Sequence, residues 1–68
     1  MFRIITVSRN VALLLERNDV LAMAGFNVIS PRYPEQAPTL AEQEQPDAVV
    51  IGHSVEPMVR RWLIRELR

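Results

Sequence analysis

Few residues in this chain have side chains suited to chemistry, and they fall in two short stretches. The first is Ser8-Arg9-Asn10. The second is Gly52-His53-Ser54. His53 is the only histidine, and an imidazole titrating near neutrality could donate a proton or sense pH. Catalysis would also need a carboxylate or nucleophile placed beside it, and the sequence pairs none with it; Ser54, next along the chain, points elsewhere. Arg9 offers a fixed positive charge, Asn10 a helix cap, and Gly52 close backbone approach to a ligand. Ser8, Arg9, Asn10, His53 and Ser54 are therefore a candidate anion-binding set. The same residue types also suit ordinary capping and turning. Arg60, Arg61, Arg65 and Arg68 form a second basic group, diluted by Glu56 and Glu66, and read as a solvated helix face. No catalytic residue is assigned, and the chain is not expected to be an enzyme.

Composition narrows the chemistry further. The chain has 68 residues with 8 basic and 8 acidic side chains, so it carries no net charge. That balance disfavours duplex nucleic acid or an anionic membrane as a partner. Every basic residue is Arg, which excludes a lysine Schiff base and a phosphate-sensing lysine. Cysteine is absent, so there is neither a disulfide framework nor a thiolate metal site, and the absence fits a cytoplasmic protein. With one histidine, no metal or cofactor is expected. The hydrophobic fraction of 49% is that of a folded domain. No apolar run reaches the roughly 20 residues a membrane span needs. A chain this short buries only about 60% of its unfolded surface, so a partner that covers part of it would add a large share of its stability.

The elements that must position these residues alternate between strand and helix. Ile4 to Val7 is a β-branched run suited to a strand covered on both faces. Asn10 caps a helix from Val11 to Ala24, stopped by Gly25. Leu13, Val20, Leu21 and Ala24 form its main apolar stripe, with Arg17 in the middle; Leu14, Asn18 and Ala22 form a weaker one. Phe26 to Ile29 reads as a second strand and Ser30 to Pro38 as a loop. Pro38 to Gln45 reads as a short helix ended by Pro46. Ala48 to Ile51 is a third strand, and Pro57 to Leu67 a third helix with Val59, Leu63 and Leu67 inward. This alternation predicts an α/β fold with right-handed crossovers and a three-stranded parallel sheet. The first and third strands are the most apolar, which gives the order 2-1-3. Ligands in such sheets bind beyond the carboxyl ends of the strands, between Ser8-Arg9-Asn10 and Gly52-His53-Ser54.

Three stretches carry a family likeness: Arg3-Ile-Ile-Thr-Val7, Ala24-Gly25-Phe26-Asn27-Val28 and Pro46-Asp47-Ala-Val-Val-Ile51. Together they make the chain resemble the first half of a response-regulator receiver domain, over essentially its whole length. The resemblance implies a half flavodoxin-like unit, a single truncated receiver-like domain over residues 1–68. It also implies phosphorylation-site positions at Ser8, Arg9 and Gly52. There the family has an acidic Mg²⁺-binding pair and a phosphoacceptor Asp. Glycine cannot carry an acyl phosphate, and Arg9 would repel Mg²⁺. The family's fourth and fifth strands have no counterpart. The resemblance thus implies the fold and a two-component signalling context, and argues against the activity.

In the order 2-1-3 the third strand is an edge, and Ala48, Val49, Val50 and Ile51 carry no charge or proline to guard it. The expectation is a non-phosphorylatable module that works by protein–protein association. Its expected partner is a second copy, or another protein chain, covering that edge. Two third strands paired antiparallel about a two-fold axis would make a six-stranded sheet. Met58, Trp62 and Leu63 of the third helix are the expected anchors beside the strand. The alternative is a small-anion or nucleotide-binding module at the strand ends.

Overall fold

A computed structural model describes residues 2–67; Met1 and Arg68, the last of the basic group, lie outside the described residues. The elements are β1 (Arg3–Val7), α1 (Val11–Met23), β2 (Asn27–Ile29), a 3₁₀ turn (Pro34–Gln36), α2 (Ala37–Glu44), β3 (Ala48–Ile51) and α3 (Pro57–Glu66). The sheet is parallel throughout, in the order β2-β1-β3. Ile4 lies opposite Val28 on one side and Ala48 on the other; Thr6 lies opposite Val50.

The expected loop before α2 holds the 3₁₀ turn. Pro34 starts it, and the backbone N–H of Tyr33 donates to the side chain of Gln36 at 3.1 Å. Helix α2 follows directly and ends at Gln45, which adopts a left-handed conformation with φ of 48°. Gly25, with φ of 97°, turns the chain out of α1 into β2.

Strand alternation sorts the core into two faces. Ile5 and Val7 point to the α2/α3 face and are fully buried with Ala37, Val55 and Leu63; Val49 and Ile51 pack against that cluster. Thr6 points to the other face, and so do Ala48 and Val50. Helix α1 packs over β1 and β2 on this second face, yet buries no residue completely. Its inward stripe is Leu14, Arg17, Asn18 and Leu21, all half-buried, while Leu13, Val20 and Ala24 are exposed. The stripe expected to face the sheet is therefore mostly a flank. The reason is polar: the fully buried Thr6 hydroxyl donates to Asn18 Oδ1 at 2.6 Å and lies 2.6 Å from Ser30 Oγ. Asn18 Nδ2 donates to Ser30 at 2.8 Å. Asn18 is thus turned onto the sheet, and α1 is rotated with it.

Candidate functional site

The strand-end crevice brings both chemistry-bearing stretches together. Ser54 Oγ sits at the start of α1 and accepts from the backbone N–H of Arg9 at 2.9 Å and of Asn10 at 3.2 Å. It is also 2.8 Å from Ser8 Oγ. Asn10 Oδ1 accepts from Leu13 N at 3.1 Å and caps the helix. Two backbone donors just before α1 are thus engaged by a serine hydroxyl of the same chain, and the Leu13 amide by Asn10.

Arg9 is engaged as well. Its guanidinium forms a two-point pair with Glu56 and donates to Glu35 at 2.8 Å. Hydrogen bonding to Glu56 and then Glu35 holds the Arg9 pKa above its ordinary value. Hydrogen bonding to Arg9 holds both carboxyl groups below theirs. Two carboxylates against one guanidinium leave the cluster net negative. It fastens the β1–α1 loop to the 3₁₀ turn and to the loop before α3.

Gly52 is buried, and a Cβ placed there would lie 3.3 Å from the Val7 carbonyl, 3.4 Å from Ser8 Oγ and 3.5 Å from Arg17 Nη1. Arg17 therefore extends from α1 to the end of β3, and it makes no ion pair among the described residues. His53 is exposed, and its side chain makes no hydrogen bond among the described residues. Only its backbone carbonyl is drawn in, by Arg60 at 3.4 Å. Arg60 also donates to Val55 O at 3.2 Å, so it serves the loop before α3. Among the described residues no group of three or more metal-ligating side chains occurs, and no helix is long and apolar enough to cross a membrane.

The β3 edge has a different character. No strand pairs with its outer side among the described residues. The opposite edge, β2, is three residues long and runs into Pro31, which limits pairing there. Every residue of β3 is at least partly exposed, and Val50 is 37% exposed on the α1 face, because α1 sits over β1 and β2 instead. On the other face a groove of about 510 Å³ runs beside the strand, lined by Ala48, Val49, Ile51, Ile64 and Leu67 among others.

The structure divides the helix anchors expected beside this edge. Leu63 is fully buried in the chain's own core and offers no surface to a partner. Met58 and Trp62 are exposed, but they share a notch of about 250 Å³ with Glu35 and Val59, on the flank of α3 turned to the 3₁₀ turn. Residues two apart on a helix project about 200° apart. Ile64, 43% exposed, therefore occupies the flank beside β3 that Trp62 does not. Sequence reasoning missed Ile64. Its i,i+3 spacing to Leu67, distinct from the Val59–Leu63–Leu67 stripe, was the available signal.

Neither protein-family models, nor curated proteins, nor solved structures give any match to this chain.

Proposed function

We propose that the chain is a protein-interaction module that binds another polypeptide along the outer edge of β3. The observation that carries this reading is the exposure of Ala48 to Ile51 along the edge and partly on both faces of the sheet, in a segment with no charge and no proline. An apolar edge strand is a template for β-pairing, and main-chain hydrogen bonds supply affinity whatever the partner's sequence. The receiver-like reading fits this role. A unit with glycine at the phosphoacceptor position keeps the fold and loses the chemistry, so its output is association.

The strand-end crevice supports anion binding less well. A phosphate arriving there would have to displace Ser54 from two backbone amides and Arg9 from two carboxylates.

Multi-angle light scattering at micromolar concentration tests the proposal, with expected masses above that of one chain. A single-chain mass, together with thermal stabilisation by millimolar phosphate or nucleotide, would reverse the preference between the two readings.

A further inference from the structure

We propose that the polypeptide pairing with β3 is a second copy of this chain, joined antiparallel about a two-fold axis that passes through Val50. This rests on the reading of β3 as the binding edge.

The axis follows from the faces of the sheet. A two-fold axis normal to the sheet sets the α1 face of one copy beside the α1 face of the other. Directly opposite residues in an antiparallel pair share a face. A residue must then lie on the axis and meet its own copy. With Val50 there, Val49 lies opposite the partner's Ile51 and Ala48 lies opposite the partner's Gly52. The ladder spans Ala48 to Gly52; Gly52 N–H is bonded to Val7 O at 2.8 Å on the β1 side, so by alternation Val49 and Ile51, which lie opposite one another across the axis, supply the outward hydrogen bonds. Moving the axis to Val49 would set Asp47, whose N–H is already bonded to Arg3 O at 2.9 Å, opposite Ile51. Moving it to Ile51 would set Ala48 opposite Ser54, whose hydroxyl is committed to α1. Val50 is also the most exposed residue of the strand, so the axis falls where the most apolar surface is open.

Self-association suits the chain in three further ways. Its 8 basic and 8 acidic residues cancel, so two copies meet without net repulsion, and no charged side chain lies between Ala48 and Gly52. The groove floor formed by Val49 and Ile51 is extended by the same two residues of the partner, with Ile64 at its rim. Finally, the chain exposes 4873 Å². A compact monomer of its mass, 7.8 kDa, exposes about 4,400 Å². The excess of about 500 Å² per copy, about 1,000 Å² for a pair, equals the lower threshold for a biological interface.

The absence of cysteine makes the test clean. In the proposed pair the two Val50 Cα atoms are about 4.5–5.5 Å apart, within the roughly 4.4–6.8 Å that a disulfide spans. Val50→Cys under mild oxidation should give a disulfide-linked dimer in near-complete yield. Val49→Cys, displaced along the ladder from its own copy, and Met23→Cys, on the far side of α1, should stay largely monomeric on non-reducing gels. Circular dichroism of each variant confirms that it is folded. A wild-type dimer by light scattering in which Val50→Cys fails to cross-link, or cross-links no better than Met23→Cys, overturns the axis and leaves β3 as the binding edge. A wild-type monomer with all three variants uncross-linked overturns the second copy as partner. If β3 then also fails to gain hydrogen-exchange protection at high concentration, the edge reading falls with it.

Discussion

If folding and pairing at β3 are coupled, thermal stability must depend on protein concentration, and a single charge at Val50 must remove that dependence. A second copy acts as a ligand for the folded state only. Above the dissociation constant, each tenfold rise in concentration is worth about 1.4 kcal/mol per dimer, or about 0.7 kcal/mol per chain. For a domain of this size about 1 kcal/mol moves Tm by roughly 4–8 °C. Wild-type Tm should therefore climb by about 3–6 °C per decade of concentration. Val50→Lys should lie flat over the same range. Val50 is already 37% exposed in the single chain and sits on the face that α1 leaves open, so a lysine stem can lie over the same surface with its ammonium in water. Its cost to the isolated fold should be about 1 kcal/mol or less. The two proteins should then melt together when dilute and diverge when concentrated. Scanning calorimetry over a hundredfold concentration range measures both slopes. A flat wild-type line, or a Val50→Lys line as steep as the wild type, would refute the coupling.

Three other outcomes follow from the contacts. Thr6→Val keeps the shape of a fully buried side chain but removes the hydroxyl shared by Asn18 and Ser30; urea denaturation should give a loss of about 2 kcal/mol, and a loss under about 0.5 kcal/mol would mean that this network does not hold α1 to the sheet. Gln45→Gly should raise stability by about 1 kcal/mol, because a non-glycine residue is held left-handed at the end of α2, and an unchanged or lower Tm would contradict that assignment. Glu35 and Glu56 have lowered pKa values in the folded state, so the unfolded chain binds more protons in the acid range. Their contribution is complete above the ordinary carboxyl value of 4.5 and disappears as pH falls through the lowered values. Arg9→Gln should therefore shrink the acid loss of stability measured by urea titration at several pH values, and an unchanged pH slope would show that the cluster adds nothing.

Much of the fold is legible in the residues themselves. Ile4–Val7 and Ala48–Ile51 are β-branched runs between turn formers, and their apolarity relative to β2 gives the strand order. Asn10 and Gly25 mark the two ends of α1 by types that cap helices. The orientation of α1 is not legible. Counting apolar residues favours the stripe of Leu13 and Val20, whereas Thr6 and Ser30, far from Asn18 in sequence, fix the helix by hydrogen bonds. The strand-end crevice is half legible. Ser8, Arg9, Asn10 and Ser54 do meet there, but the partners that occupy Arg9 come from Glu35 and Glu56, in loops whose approach no local pattern encodes. On α3 the inward stripe reads correctly, and the flank beside β3 does not. Trp62 draws attention by type, while Ile64 holds the position beside β3.

The two candidate surfaces differ in whether their interactions are closed within the chain. At the strand ends most of the strong groups are engaged: Arg9 has Glu35 and Glu56, the Arg9 and Asn10 amides have Ser54, and the Leu13 amide has Asn10. A ligand there exchanges one set of hydrogen bonds for another, and the net gain from such exchange is small. At β3 the outer backbone groups have no partner strand among the described residues. Apolar surface lies beside them on both faces, at Val50 and at the groove rimmed by Ile64. A partner strand adds ladder hydrogen bonds and removes apolar area from water without breaking any contact the chain already makes. Arg17, reaching Gly52 at the end of β3, makes no ion pair among the described residues. On the proposed reading, binding draws its free energy from the unpaired edge and the apolar surface of β3.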